Sequence, residues 1–455
     1  MTTFVILVRL FQNSKFSRSV IWSDYVAQDL LPRLLGFELL MAPYAVAHMK
    51  LGLQLAELGY KFDTEERLRV YLTNTLQEAF QIPPAEEHFS NLFWGEADAA
   101  NRIKEIAPVM VILGNPPYSG HSANNGEWIK NLLKGKDSLT EQLCSNYFEV
   151  DGKPLGERNP KWLNDDYVKF IRFGQWRIER TGYGVLAFVT NHGYLDNPTF
   201  RGMRQSLIKT FDDIYVLDLH GNSKKKERCP DGSKDENVFD IQQGVSINIF
   251  VKHPNGEKEK ATVHHTDLWG DRDLKYNWLE KNDLTTTQWT TLHPQSPFYL
   301  FIPQDNDLRA EYKEGWKVTD IFPINSVGIV TGQDSKTIAI TEDDTKTLAN
   351  SHRINQQCVK PILYRPFDNR FIVYDAQVVT RPRREVMQHM LAGKNLGLIT
   401  CRQQSQPGEW SLSGVTNSII ESCAVSNKTK EINSLFPLYV YPETAIEEGM
   451  GMKKH

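Results

Sequence analysis

Four consecutive residues, Asn115-Pro116-Pro117-Tyr118, combine an amide, proline carbonyls and an aromatic ring in one short segment. The two prolines fix φ and lack backbone N–H groups, so the segment is stiff and its carbonyl oxygens are available as acceptors. The Asn115 side-chain oxygen and the Pro116 carbonyl can each accept one N–H bond from an exocyclic amino group, and Tyr118 can stack on a planar base. The alternative is a proline-rich turn that contains a tyrosine.

This segment follows an apolar run, Val109-Met110-Val111-Ile112-Leu113, and a glycine, Gly114. Such a run predicts a buried parallel strand that ends in a loop. Ligands of open α/β sheets bind at the carboxyl ends of the strands. The position of the segment therefore agrees with a binding loop.

Apolar, strand-like runs alternate with segments of helical periodicity up to about Lys252. The predicted strands are residues 35–39, 68–72, 109–113, 184–189, 213–220 and 245–251, and the predicted helices are residues 41–60, 167–180 and 200–211. Repeated strand–helix units predict a mostly parallel, doubly wound sheet. Residues 119–164 are rich in Gly, Asn and Lys, and we interpret them as an insertion that folds over a site.

Length and composition predict a multidomain protein of the reducing cytosol. A chain of 455 residues is too long to form one compact core. Its composition also changes after His253, where Trp, Tyr, Phe and Thr become more frequent. Its five cysteines include no Cys-x-x-Cys pair, so we expect free thiols and no metal site. No apolar stretch reaches membrane-spanning length, and the start lacks the features of a signal peptide, so a cytoplasmic location is predicted.

The net charge of −4 excludes a generally basic DNA-binding protein, but the charge is unevenly distributed. Residues 352–403 hold nine Lys/Arg against three Asp/Glu, including Arg381, Arg383 and Arg384 around Pro382. Aromatic residues are interleaved with these charges, a pattern typical of nucleic-acid surfaces. A second basic group is Lys224-Lys225-Lys226. The alternative in both places is a solvated face.

Several elements, in order, resemble adenine-specific DNA methyltransferases that use S-adenosylmethionine: Gly36-Phe37-Glu38, Asn74-Thr75-Leu76, the Asn115 segment and residues 184–191. Longer stretches resemble the methyltransferase part of single-chain Type ISP restriction–modification enzymes. These are LLMAPYAVAH (39–48), GHSANNGEW (120–128) and NHGYLDNPTFRG (191–202). In that family one polypeptide also carries a nuclease, a helicase-like ATPase and a target recognition domain.

The resemblance implies roles for the site residues. Glu38 would hold the ribose hydroxyls of S-adenosylmethionine, and Asn74 with Thr75 would lie at the adenine of that cofactor. The alternatives are a helix-start carboxylate for Glu38 and a turn asparagine for Asn74.

The same resemblance makes Asn115, Pro116, Pro117 and Tyr118 the catalytic loop, which would hold an adenine flipped out of double-stranded DNA. Methyl transfer would then be a direct in-line displacement that positioning accelerates, without a metal or a covalent intermediate. Lys224–Lys226 and the three arginines would contact DNA, with Arg381, Arg383 and Arg384 mainly on phosphates.

For the fold, the resemblance implies a Rossmann-like class I methyltransferase sheet in residues 1–260 and a mixed α+β target recognition domain in residues 261–455. Met1-Thr2-Thr3-Phe4-Val5-Ile6 looks like the end of the family's glycine-rich cofactor loop. We therefore expect the first strand to be missing or incomplete, with a gap between the strands of Glu38 and Asn115. We also expect the recognition domain to be truncated at its carboxyl end.

Three functions follow from this comparison. The first is the modification domain of an adenine-methylating restriction–modification enzyme. The second is a catalytically impaired fragment of such an enzyme that still binds DNA. The third is a methyltransferase that acts on RNA or protein, since similar loops serve other planar amides and amines.

Overall fold

The computed structural model describes residues 20–62, 67–78, 99–104, 109–117, 122, 124–137, 143–157, 160–254, 256, 260–404, 409–426 and 428–443. The chain divides into two units, Met1–Gln304 and Asp305–His455, and each has its own hydrophobic core. Two features of the sequence analysis, Met1–Ile6 and Tyr118, lie outside the described residues.

The strands of the first unit are β1 (Leu35–Glu38), β2 (Arg69–Leu72), β3 (Val111–Gly114), β4 (Lys134–Lys136), β5 (Leu143–Asn146), β6 (Glu149–Val150), β7 (Lys153–Pro154), β8 (Gly184–Asn191), β9 (Asp213–Asp218), β10 (Val245–Lys252), β11 (Thr262–Asp267) and β12 (Thr290–Leu292). Its helices are α1 (Val20–Tyr25), which continues through a π-helical turn (Val26–Leu30) into α2 (Leu31–Arg33), then α3 (Met41–Glu57), α4 (Glu127–Leu133), α5 (Asp166–Thr181), α6 (Arg201–Thr210) and α7 (Arg272–Lys281). Each predicted strand and helix of this region is confirmed, with ends shifted by up to three residues.

A six-stranded sheet organises the first unit, in the order β12-β11-β9-β10-β8-β3. Strands β3 and β8 are parallel, as are β9 and β11, whereas β10 runs antiparallel to both β8 and β9. The sheet is therefore mixed, and its strands β3, β8, β9 and β11 all end at the same edge. Strands β1 and β2 are parallel to each other and form a separate two-stranded sheet.

Helices cover both faces of the six-stranded sheet. On one face, α5 and α6 contribute Ile171 and Leu207 to the core that also holds Leu186 and Ile214. Gly174 allows the close approach of α5, because a β-carbon there would lie 2.5 Å from a methyl carbon of Leu186. On the other face, side chains of α7 pack with those of β9 and β10, among them Trp278, Leu217 and Val245. Buried and half-buried side chains alternate along β8, so the face that carries Leu186 is covered more completely than the other.

The boundary between the units lies at Gln304/Asp305, later than the predicted residue 260. The reason is that β11 adds to the sheet beside β9 and β12 adds beside β11. The segment beyond β12 is also tied to the first unit, since the buried guanidinium of Arg204 donates to the carbonyl oxygens of Phe298 and Tyr299. Burial lowers the pKa of Arg204 to about 9. The change in amino-acid composition after His253 therefore occurs within the first unit. The domain boundary lies further along the chain.

The second unit contains two four-stranded sheets. Its elements are α8 (Asn306–Glu314), α9 (Val318–Ile321), β13 (Ser326–Val327), α10 (Asp334–Thr337), β14 (Ile338–Ala339), α11 (Glu342–Ser351), β15 (Val359–Arg365), β16 (Asp368–Val373), α12 (Arg384–Leu391), β17 (Gly397–Cys401), β18 (Ser413–Thr416), β19 (Ile419–Ile420) and β20 (Asn433–Pro437). The strand orders are β13-β20-β17-β18 and β14-β16-β15-β19. One core joins both sheets to α12, through Ile372, Ile399, Leu435 and Met387. The second unit thus combines helices with two sheets.

Two findings concern the environment of the chain. Among the described residues, none of the helices combines the length and apolar character needed to cross a lipid bilayer. The five cysteines, at positions 144, 229, 358, 401 and 423, are free thiols.

Candidate functional site

A cleft of about 560 Å³ is lined by β1, by β3 and by the loops that follow β1, β2 and β3. Its volume lies within the range of small-molecule sites, which is about 300–1,000 Å³. Six of the seven residues predicted for catalysis and cofactor binding line it, namely Glu38, Asn74, Thr75, Asn115, Pro116 and Pro117. The tertiary structure therefore brings together residues that are up to 79 positions apart in the sequence. The seventh, Tyr118, lies outside the described residues.

The loop after β3 presents Asn115 to the cleft. Pro116 is buried, while Asn115 and Pro117 are exposed. The Asn115 side chain makes no hydrogen bond to another described residue, so its amide is available to a ligand. Gly114 is required just before it, because a β-carbon there would lie 2.9 Å from the Phe188 ring.

Glu38 ends β1, and one of its oxygens is already used. Its Oε1 accepts from the backbone N–H groups of Leu39 and Leu40, at 2.8 and 3.0 Å, just before α3 begins. This is the geometry of a helix-start carboxylate, which was the alternative interpretation. The second oxygen, Oε2, makes no hydrogen bond to a described residue, so the carboxylate can hold the helix start and still accept from a ligand.

The Asn74 side chain is engaged on both sides. Its oxygen accepts from the Leu76 N–H at 2.9 Å, and its amide donates to Asn124 Oδ1 at 2.9 Å. The first bond is that of a turn asparagine, so this alternative describes the local geometry. Asn124 also donates to Asp166 Oδ1 at 3.0 Å and lines the cleft. The predicted insertion thus contributes a wall of the cleft through Asn124.

Sequence reasoning missed Lys104, a buried cation in the same cleft. Its Nζ donates to the Asn74 carbonyl at 2.6 Å and to Thr73 Oγ1 at 3.1 Å, and it lies 5.6 Å from the centre of the Phe37 ring. Burial lowers the pKa of Lys104 to about 8. No motif surrounds this lysine in the sequence, and only its packing distinguishes it from a surface lysine.

The pKa of Lys104 predicts a pH-dependent stability. Folded Lys104 loses its proton near pH 8, whereas an unfolded lysine keeps it up to about pH 10.5. In that window the unfolded chain binds more protons, so the free energy of unfolding should rise with pH, by at most about 1.4 kcal/mol per pH unit. Urea unfolding across this window should show the rise in the natural chain and not in Lys104→Met. The exposed Lys50→Met should behave like the natural chain, and equal slopes in all three would contradict the assignment.

Both units of the chain are similar to parts of known proteins. Residues 307–454 match the model of the Type ISP C-terminal specificity domain. The carboxyl-terminal part of the chain is therefore similar to a Type ISP specificity domain. The resemblance to Type ISP restriction–modification enzymes is thereby confirmed. Among curated proteins, none matches the chain.

Solved structures show the same fold over almost the whole chain. A nuclease-deletion mutant of the Type ISP enzyme LlaGI in complex with a DNA substrate mimic is 17% identical, with a TM-score of 0.67, and the match covers 96% of this chain and 38% of that one. The ATP-dependent Type ISP enzyme LlaBIII bound to DNA is 19% identical, with a TM-score of 0.67 and coverages of 97% and 30%. The DrdV–DNA complex is 20% identical, with a TM-score of 0.62 and coverages of 90% and 43%. The chain spans less than half the length of these structures.

Within residues 307–454, the three predicted arginines differ in exposure. Arg381 and Arg384 are exposed, and Arg384 begins α12. Arg383 is half-buried with a positive φ of 52°, and its Nε is buried without a hydrogen bond to a described residue. Of these three arginines, therefore, only Arg381 and Arg384 are solvent-exposed.

The other predicted basic group, Lys224-Lys225-Lys226, belongs to the first unit. It lies in the segment between β9 and β10, and all three side chains are exposed. Lys225 Nζ lies 3.4 Å from Asp196 Oδ2, an ion pair at the surface that contributes little to stability. The segment starts at the carboxyl end of β9, the same sheet edge at which β3 delivers Asn115.

Proposed function

We propose that the chain is the modification part of a restriction–modification enzyme, and that it transfers a methyl group from S-adenosylmethionine to the exocyclic amino group of adenine in double-stranded DNA. One observation carries this proposal. The acid after β1, the amide and hydroxyl after β2, and the Asn-Pro-Pro segment after β3 all line a single cleft. Such convergence of predicted ligands from three strand ends is unexpected for a plain proline-rich turn.

We infer that the first unit has a Rossmann-like arrangement, which would give the cleft a cofactor role. Among the described residues, β1 pairs only with β2 and β3 pairs only with β8, and both strands line the cleft. Val111 and Leu113 of β3 are 56% and 52% exposed, which is unusual for apolar residues of a parallel strand. We interpret the two sheets as parts of one doubly wound sheet with a gap between β1 and β3. In such sheets, ligands bind where the strand order reverses.

The residues present fit the methyl donor by their chemistry. When bound, S-adenosylmethionine supplies an electrophilic methyl group on a sulfonium. Glu38 Oε2 is placed to accept from ribose hydroxyls, while Asn74 and Thr75 would lie at the adenine ring of the donor. Because Asn74 already bonds Leu76 and Asn124, we assign it a packing role at that ring more than a hydrogen-bonding one.

The Asn115 loop would hold the target base. The Asn115 side-chain oxygen and the Pro116 carbonyl oxygen would accept the two N–H bonds of the amino group, and Tyr118 would stack on the flipped ring. These acceptors favour a tetrahedral nitrogen whose lone pair points at the methyl group. The nitrogen–carbon bond forms as the carbon–sulfur bond breaks, and a proton then leaves the nitrogen. Positioning in the cleft provides most of the acceleration.

A methyl-transfer assay tests this function. Tritium-labelled S-adenosylmethionine should label duplex DNA, and digestion to nucleosides should recover the label on the adenine amino group. Labelling of RNA or of peptides in preference to DNA would favour the third hypothesis. DNA binding without binding of S-adenosylmethionine in calorimetry would favour a fragment that binds DNA and does not catalyse.

The specificity domain should contribute phosphate contacts through Arg381 and Arg384. Replacing both with alanine should weaken binding to any duplex and reduce the slope of log affinity against log salt by up to about two. The measurement is fluorescence anisotropy of labelled duplex DNA over a salt series. A second double variant, Lys313→Ala/Lys336→Ala, removes the same charge from other exposed positions and should keep the natural slope. If Arg381 and Arg384 can be removed without changing the slope, the DNA surface lies elsewhere, and Lys224-Lys225-Lys226 become the next residues to replace.

A further inference from the structure

A cluster of ionisable side chains lies outside the cleft, at the carboxyl ends of β9 and β11. Asp218 is the last residue of β9, and His265 and Asp267 end β11, which runs parallel to β9 with Asp218 opposite Asp267. One ligand atom from each of these three side chains lies within 4.8 Å of the other two. Asp218 and His265 are buried, whereas Asp267 is exposed, so the cluster opens to solvent on one side.

The His265 imidazole points into this cluster without a partner. The residue is 1% exposed, and its Nε2 makes no hydrogen bond to any described residue. The nearest charged atom is Asp267 Oδ1, at 3.8 Å, which is beyond hydrogen-bond distance. A neutral imidazole has a lone pair on one ring nitrogen, which can bind a ligand. A buried nitrogen without a hydrogen-bond partner is unfavourable, and a ligand would remove that cost.

Both carboxylates are held in place by neighbouring groups. Asp218 Oδ1 accepts from His192 Nδ1 at 3.0 Å and from the His220 backbone N–H at 2.9 Å. Asn222 Nδ2 donates to His192 Nε2 at 3.1 Å, which places the ring proton on Nδ1. Asp267 Oδ1 accepts from His220 Nε2 at 2.8 Å. Each carboxylate therefore keeps lone pairs for a further ligand, in an orientation set by an imidazole.

We propose that Asp218, His265 and Asp267 bind a divalent transition-metal cation, with Zn²⁺ as the best match. Zinc accepts both imidazole nitrogens and carboxylate oxygens as ligands, whereas Mg²⁺ and Ca²⁺ prefer oxygen ligands alone. Ligands at about 2.1 Å from a tetrahedral metal are roughly 3.4 Å apart. The separation of 3.8 Å between His265 Nε2 and Asp267 Oδ1 needs only a small closure to reach that value. Water would complete the coordination on the exposed side of Asp267.

A cation at this position would stabilise the segment that carries Lys224-Lys225-Lys226. It would join the ends of β9 and β11, and Asp218 is connected through His192 to Asn222, two residues before Lys224. The cation would thus hold the start of the segment that carries Lys224-Lys225-Lys226. This inference stands apart from the proposed methyl transfer, since none of its residues lines the cleft.

Zinc titration of the full chain, freed of metal with a chelator, tests the site directly. Calorimetry should show one Zn²⁺ per chain, and Zn²⁺ should raise the unfolding temperature. His265→Gln and Asp267→Asn should each weaken binding by at least about 100-fold, because loss of a ligand should cost no less than loss of an outer-shell partner.

The neighbouring His264→Gln is the matched control. His264 lies on the opposite face of β11, stacked on Tyr215 at 4.6 Å, so this variant should bind Zn²⁺ like the natural chain. Asp267 is 40% exposed at its side chain, so Asp267→Asn keeps the fold, and circular dichroism without metal checks this. If the natural chain binds no zinc, or if Asp267→Asn and His264→Gln bind it equally well, the site does not exist and a water molecule satisfies His265.

Discussion

Replacing Asn115 with alanine should lower the rate of methyl transfer to duplex DNA by about 10²–10³-fold and leave DNA affinity nearly unchanged. The reason is that the lost oxygen would accept its strongest hydrogen bond only when the amino nitrogen becomes tetrahedral. Loss of an interaction made mainly in the transition state lowers kcat, with little effect on KM. Tritium transfer under single-turnover conditions measures the rate, and fluorescence anisotropy measures the affinity.

Asn125→Ala provides a control for this experiment. Asn125 is an exposed asparagine of the nearby insertion, and it does not line the cleft. Its replacement should leave the transfer rate at the natural value. A natural rate in Asn115→Ala as well would show that the loop after β3 is not the catalytic centre, and the proposed function would then lose its main support.

Replacing Glu38 with glutamine should weaken binding of S-adenosylmethionine by roughly 10- to 100-fold. A hydrogen bond to a charged group contributes about 1.5–3 kcal/mol, which corresponds to an effect of this size. Glutamine retains one carbonyl oxygen for the N–H groups of Leu39 and Leu40, so the start of α3 should survive. Isothermal titration calorimetry measures the affinity, and urea unfolding reports the stability.

Glu57→Gln is the matched control, because Glu57 is exposed at the far end of α3. It removes the same charge and should bind the cofactor normally. If Glu38→Gln binds S-adenosylmethionine as well as the natural chain, Glu38 serves only the start of the helix. A loss of stability in that variant would strengthen this second interpretation.

The strands and helices of the first unit could be read from the sequence because their periodicities are strong and local. The Val109–Leu113 run and its glycine predicted a strand and a loop, and β3 ends at Gly114 as expected. The helical periodicity of residues 167–180 predicted a helix, and α5 spans Asp166–Thr181. Such local signals depend on side chains that are close in the sequence, so they survive without any knowledge of tertiary contacts.

The domain boundary was harder to predict from the sequence, because it depends on which strands pair. Strand β11 follows β10 after a short connection but pairs with β9, so it belongs to the first sheet. Its short sequence, TVHHTD, does not distinguish this position from a strand of another domain. Pairing is a long-range contact, and the pattern within one strand does not identify the strand that it pairs with.

By itself, the sequence determined which residues have the chemistry for a cofactor and base site, and that they follow successive strands. It also determined the type of each local element. Only the tertiary structure decided that Glu38, Asn74 and Asn115 share a cleft with the buried Lys104, and that His265 faces two carboxylates. The physical reason is that burial and proximity arise when distant segments pack together. The lowered pKa of Lys104 and the unpaired nitrogen of His265 are consequences of that packing, and neither exists in the unfolded chain.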